Sequence, residues 1–227
     1  LTLIAVITLG VAGAAARLHD APNWWRHVES DSDQTIELAN RVERAVLSHV
    51  RRPRPLGKPW TVAVNVEQAN AWLAVRLPMW ASNRSEPLPA PVQQIQANFV
   101  SGRVSLGVQL AFDDVQQVVA TTFTPTVRRD GSLWLVAPQA TAGRLDLPRD
   151  WTIARLREWL PTHMRKQRDT AAMLSALAGR APLFPDASVK LEDGTRVRLL
   201  GVRVVDGDLA LTCVNERLAA SAARSRR

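Results

Sequence analysis

Between Val92 and Pro148 apolar residues return at every second position, the period of a pleated strand with one buried face. Val104, Leu106, Val108, Leu110 and Phe112 alternate with Arg103, Ser105, Gly107, Gln109 and Ala111. Upstream, Ile95, Ala97 and Phe99 alternate with Gln94, Gln96 and Asn98, and Ser101-Gly102 supplies the turn between the two runs. A Val- and Thr-rich run from Val118 to Val127 is separated from Leu133-Trp134-Leu135-Val136 by Arg129-Asp130-Gly131, which predicts a second hairpin. The stretch therefore reads as consecutive strands of one antiparallel sheet.

The flanks read as helices and a further meander. Ser30 to Asp33 offers N-caps ahead of Ile36, Ala39, Val42, Val46, Leu47 and Val50, an apolar stripe at helical spacing that ends at Arg51-Arg52-Pro53-Arg54-Pro55. Trp60 to Val66 alternates like a strand. Asn65 and Gln68 then have capping-box spacing for a helix carrying Ala69, Trp72, Leu73 and Leu77. Pro78, Pro87, Pro89 and Pro91 predict an irregular crossing that contains Trp80. After the sheet, Asp150 can cap a helix carrying Trp151, Ile153, Ala154, Leu156 and Leu160, interrupted by Pro161. A second helical piece runs from Thr162 to Ala178 with Gly179 as its stop. Val189 to Leu191, Thr195 to Val205 and Leu209 to Val214 form a three-stranded meander turning at Asp193-Gly194 and Asp206-Gly207, with a parity break near Gly201 that signals a bulge.

Leu1 to Ala16 carries no charge and as a helix would span about 24 Å, against a hydrocarbon core of about 30 Å. An uncleaved anchor fits this segment. A cleaved signal peptide competes, because Ala14 and Ala16 supply a small-x-small pattern. Trp24, Trp25 and Arg26 are residue types found where a helix leaves the bilayer, or the tryptophans simply pack on the domain. The expected location is the plasma membrane, single-pass, with the main domain outside the cytoplasm. The expected organisation is an anchor or signal over 1–18, a juxtamembrane linker over 19–34, one α+β domain over 35–215 and a basic tail over 216–227.

The chemistry that composition allows is narrow. The net charge of +8 comes with the basic cluster Arg51, Arg52, Arg54 and Lys58, which could meet phosphates or lipid headgroups, or could be a solvated loop. The lone Cys213 excludes an intrachain disulfide. His19, His27, His49 and His163 form no metal-binding spacing. Gly102-Arg103-Val104-Ser105-Leu106-Gly107 has one residue too many before its serine for a nucleophile elbow, and Asp113-Asp114 reads as a turn. Neither a metal, a cofactor nor enzymatic activity is expected. A nucleic-acid partner is not expected either, since no compact basic motif occurs.

Glu67-Gln68-Ala69-Asn70-Ala71-Trp72-Leu73, then Gly102-Arg103-Val104, Asp130-Gly131 and Gly143-x-Leu145-x-Leu147-Pro148, set in the order helix, strand, short helix and long meander, resemble the bacterial membrane-anchored proteins with a tubular lipid-binding, or TULIP-like, domain. The resemblance covers roughly residues 35–215 as a pattern of elements. It implies a long curved antiparallel β-meander packed against helices, with an apolar groove between them. Leu106, Val108, Leu110 and Leu135, on the apolar parity of their strands, would line the sheet side of that groove, with Trp72 and Leu73 facing them. The expected function is to bind or shuttle lipid or another apolar ligand there. The competing reading is a structural or scaffold domain of the cell envelope whose core is filled by its own side chains.

Overall fold

A computed structural model describes residues 20–85, 87–112, 115–143, 145–148, 150, 154 and 168–217. In chain order these form α1 (Asp33–Arg51), β1 (Pro59–Asn65), α2 (Val66–Asn83), β2 (Val92–Val100), β3 (Arg103–Phe112), β4 (Val115–Val127), β5 (Leu133–Ala142) and β6 (Leu145–Leu147). Then follow α3 (Arg168–Leu177), β7 (Ser188–Lys190), β8 (Thr195–Val205) and β9 (Asp208–Arg217). The fold is α+β. One antiparallel sheet has the order β2-β3-β4-β5-β6 and a second has the order β1-β9-β8-β7. The expected meander is the first sheet, and β1 joins the last hairpin rather than the meander, with Trp60 opposite Cys213.

Local chemistry sets most of the element ends. Ser32 accepts the Thr35 N–H at 3.2 Å and starts α1. Asn65 accepts the Gln68 N–H at 2.8 Å while the Gln68 side chain takes the Asn65 N–H at 3.1 Å, so the capping box is complete. At the end of α3, Arg180 N–H bonds Ser175 C=O and Gly179 N–H bonds Ala176 C=O, with Gly179 at φ +68°. That is the Schellman stop expected of this glycine. The register shifts between Leu199 and Gly201, where the parity of β8 breaks.

Two expectations are corrected. α2 does not end at Pro78 but continues through it to Asn83, so Trp80 is on a helix and not in a loop. A proline removes one backbone donor. That single loss does not unwind a helix whose preceding turns are fixed by the capping box and by Leu73 in the core. Leu47 is also not on the buried stripe of α1: Ala39 and Val42 are buried, whereas Leu47 is 44% exposed.

The two sheets share one core. Ala97, Phe99, Val104, Phe123 and Leu135 of the first sheet cluster with Val204 of the second, and Val202, Leu209, Val66, Ala69 and Leu73 pack against them. A turn ties the layers together: Gly207 N–H bonds Phe99 C=O, Val66 N–H bonds Gly207 C=O, and Asp206 accepts the Ser101 N–H at 2.8 Å. Leu1 to Ala16, Asp113, Asp114, His19, His163, the tail beyond Arg217 and most of the helix expected from Asp150 to Leu160 lie outside the described residues. Of the second piece, Thr162 to Ala178, only the part from Arg168 is described. Among the described residues no helix is long and apolar enough to cross a membrane.

Candidate functional site

The apolar parity of β3 faces the shared core. Leu110 is buried, Leu106 packs on the cluster that contains Leu135, and Val108 stands opposite Ile95 and Val119 in the sheet. Leu73 reaches the same cluster with Val66 and Ala69, the i, i+3, i+7 spacing of one helix face. Trp72 is rotated from Leu73 by about 100°. It shares its face with Arg76, four residues on, whose guanidinium pairs with Glu43 of α1. The structure thus brings Leu73, Leu106 and Leu135 to one cluster, and Trp72 is not part of it.

The polar parity of the same strands holds a second arrangement. Residues 24–28 cross the outer face of the first sheet. Gln96, only 1% exposed, accepts the Arg26 N–H and donates to the Arg26 carbonyl, and Gln94 donates to the Val28 carbonyl at 2.8 Å. Trp24 and Trp25 lie on Gly107, opposite Gln96 in the pairing. A Cβ at Gly107 would stand 2.7 Å from Trp25 and 2.8 Å from Trp24, so only glycine admits the two rings. The two tryptophans pack on the domain.

Beside this strap is a recess of about 270 Å³, lined by His27 and Val28 of the strap and Ser30 just after it, Leu73, Ala74 and Pro78 of α2, and Gln94, Ile95, Gln109 and Gln116 of the sheet. Gln109 donates to Gln116 at 2.9 Å across the strands. The Gln94 Oε1 is buried without a hydrogen-bond partner among the described residues. None of these lining residues carries a carboxylate, ammonium or guanidinium group. A second recess of about 230 Å³ separates α1 from β1, between Val42, Val46 and His49 on one side and Val62, Val64 and Gln68 on the other.

At the C-terminal end of α1 a polar cluster surrounds Trp60. Its indole donates to Asn215 Oδ1 at 2.7 Å, His49 meets it edge-on with ring centres 5.4 Å apart, and the Arg54 guanidinium stacks over it at 4.3 Å. Cys213 is buried nearby, and loss of hydration pushes its thiol pKa up while the Arg54 charge pulls it down. Ser105 bonds Thr122 at 2.8 Å across the strands, with no general base in that pair. Among the described residues no three His, Cys, Asp or Glu side chains converge on a point.

No family model, curated protein or solved structure matches this chain. The residues of the strap contact that periodicity alone passes over are Gln94, Gln96 and Gly107. Gly107 had a signal in the sequence, because a glycine inside a strand often marks a close approach by another part of the chain.

Proposed function

We propose that the chain is a membrane-tethered domain of the cell envelope, held by its apolar N-terminal segment outside the cytoplasm, whose apolar core is filled and which works as a scaffold. One observation carries this reading: Leu73, Leu106 and Leu135, the residues expected to face an acyl chain, pack with Phe99, Phe123 and Val204. Where side chains pack on one another in this way, a ligand could enter only by displacing them. The tether rests on the uncharged apolar run from Leu1 to Ala16 in the sequence, since Trp24 and Trp25 are taken up by packing on Gly107.

Truncation tests the filled core. Leu135→Ala should lower unfolding free energy by about 2–5 kcal/mol, as for a large-to-small change in a packed interior. A loss under about 1 kcal/mol would mean that Leu135 lines open space. Alkaline extraction and protease access on spheroplasts test the tether. Full-length chain in the soluble fraction would count against it, and protection from protease would reverse the topology.

A second reading keeps the lipid. Leu73 and Ile95 give the recess beside the strap an apolar wall. Its volume of about 270 Å³ corresponds to roughly nine waters and lies just below the range of about 300–1,000 Å³ usual for ligand pockets. Full burial of an acyl chain of about 14 carbons would contribute about 11 kcal/mol gross. A recess this small would hold part of such a chain.

A further inference from the structure

We infer that the end of α1 at Arg51 and the loop that follows it to Lys58 form a docking surface for anionic phospholipid, which turns one end of the domain onto the bilayer. Four cations, Arg51, Arg52, Arg54 and Lys58, fall within eight residues, and Leu56 among them is 46% exposed. An exposed aliphatic side chain in a segment rich in cations suits a headgroup layer, where the charges meet phosphates and the leucine enters the acyl boundary.

The loop is held in shape. Pro53 and Pro55 restrict its backbone, Gly57 at φ +75° donates its N–H to the Asn215 carbonyl at 2.9 Å, and Arg54 stacks on Trp60 while donating to the His49 carbonyl at 3.2 Å. These contacts leave Arg51, Arg52, Leu56 and Lys58 exposed. Glu37 and Glu43 of α1 and Glu216 of β9 are engaged elsewhere. Glu37 pairs with Arg41, Glu43 with Arg76, and Glu216, next to the residue that anchors Gly57, with Arg196 and Arg198. Among the described residues Arg51, Arg52 and Lys58 have no ion-pair partner, so their charge is free to act outward.

The inference rests on the tethered reading only for the source of the lipid, and its test reads docking separately from tethering. Cys213 is buried, so an environment-sensitive thiol probe on a Leu56→Cys variant of the full chain reports the loop alone. The chain is reconstituted in phosphatidylcholine vesicles with and without about 30% phosphatidylglycerol, enough to give an anionic surface. Flotation with both vesicle types reports the tether. Protection of the probe from aqueous iodide, seen only with phosphatidylglycerol and lost at about 1 M salt where the Debye length is about 3 Å, is the expected result.

Adding Arg51→Gln, Arg52→Gln and Lys58→Gln should shift the docked-to-free ratio on the order of 100-fold, at about tenfold per 1.4 kcal/mol. An unchanged thermal midpoint shows that this variant is folded. Equal iodide access in both vesicle types overturns the inference, as does lipid-dependent protection that survives the triple substitution. Salt-sensitive binding of duplex DNA through the same three residues, without any vesicle preference, also overturns it.

Discussion

The side-chain amide of Asn70 pairs with both backbone groups of Ala97, accepting its N–H at 2.7 Å and donating to its carbonyl at 3.0 Å. β2 is an edge strand of the first sheet, and its outward backbone groups would otherwise lack a partner at this buried position. A helix side chain thus does at one residue what a further strand would do along a whole edge. It also fixes the height of α2 on the sheet, which is what delivers Leu73 to the core.

Asn70→Ala should therefore lower stability by about 1–3 kcal/mol, since it leaves a buried donor and acceptor unmatched. Asn70→Asp keeps the acceptor but sets a carboxylate against the Ala97 carbonyl, and it should be no better than alanine. Urea unfolding of the two variants checks this. Parent-like midpoints for both would show that the pairing carries no weight.

Gly107→Ala should displace the strap. Its methyl group would stand at 2.7–2.8 Å from the rings of Trp24 and Trp25, closer than side-chain carbons approach. The expected loss is about 1–3 kcal/mol with a red shift of tryptophan emission. Trp25→Ala in the same chain should recover part of the loss in a double-mutant cycle. Additive effects would show that the ring and the glycine are independent.

Acid should weaken two joints together. The hydrogen bond from Arg76 holds the Glu43 carboxyl below its ordinary value, and that from Arg198, with a lesser one from Arg196, does the same for Glu216, while burial opposes both. Both folded-state values are depressed. Their contribution is therefore present above the unfolded glutamate value of about 4.3 and is lost as pH falls through the lowered folded values. The thermal midpoint should drop below about pH 4.3, and Glu43→Gln with Glu216→Gln should flatten that part of the profile. An identical slope in the double variant would count against the two ion pairs as its source.

Cys213 should be silent toward thiol reagents in the folded chain, because it is buried and its thiol pKa is raised. Rapid labelling at neutral pH without denaturant would contradict this, and labelling only in denaturant is the expected result.

Much of this fold was legible in the sequence because its signals are local. A two-residue period, the Asn65 and Gln68 capping box and the turn glycines each depend on a few neighbouring residues, and each acts as its spacing implies. Pro78 misled because tertiary anchoring upstream outweighs one missing donor. The strap was hidden for a different reason. Gln94 and Gln96 bond a segment about 70 residues away through their side chains, and no periodicity encodes such a pairing. Leu73, Leu106 and Leu135 reach one core cluster, while Trp72, adjacent to Leu73 in sequence, points about 100° away from it around α2. What alternation does not encode is whether the apolar face meets a ligand or the protein's own side chains.

The filled core is tested most directly by lipid analysis of residues 20–227 purified from a lipid-containing host. The piece must begin at residue 20, because a later start removes the strap and bares the face around Gly107. Native mass spectrometry should then give the bare polypeptide mass. One stoichiometric lipid per chain, lost on Leu106→Asp without a fall in thermal midpoint, would contradict the filled core.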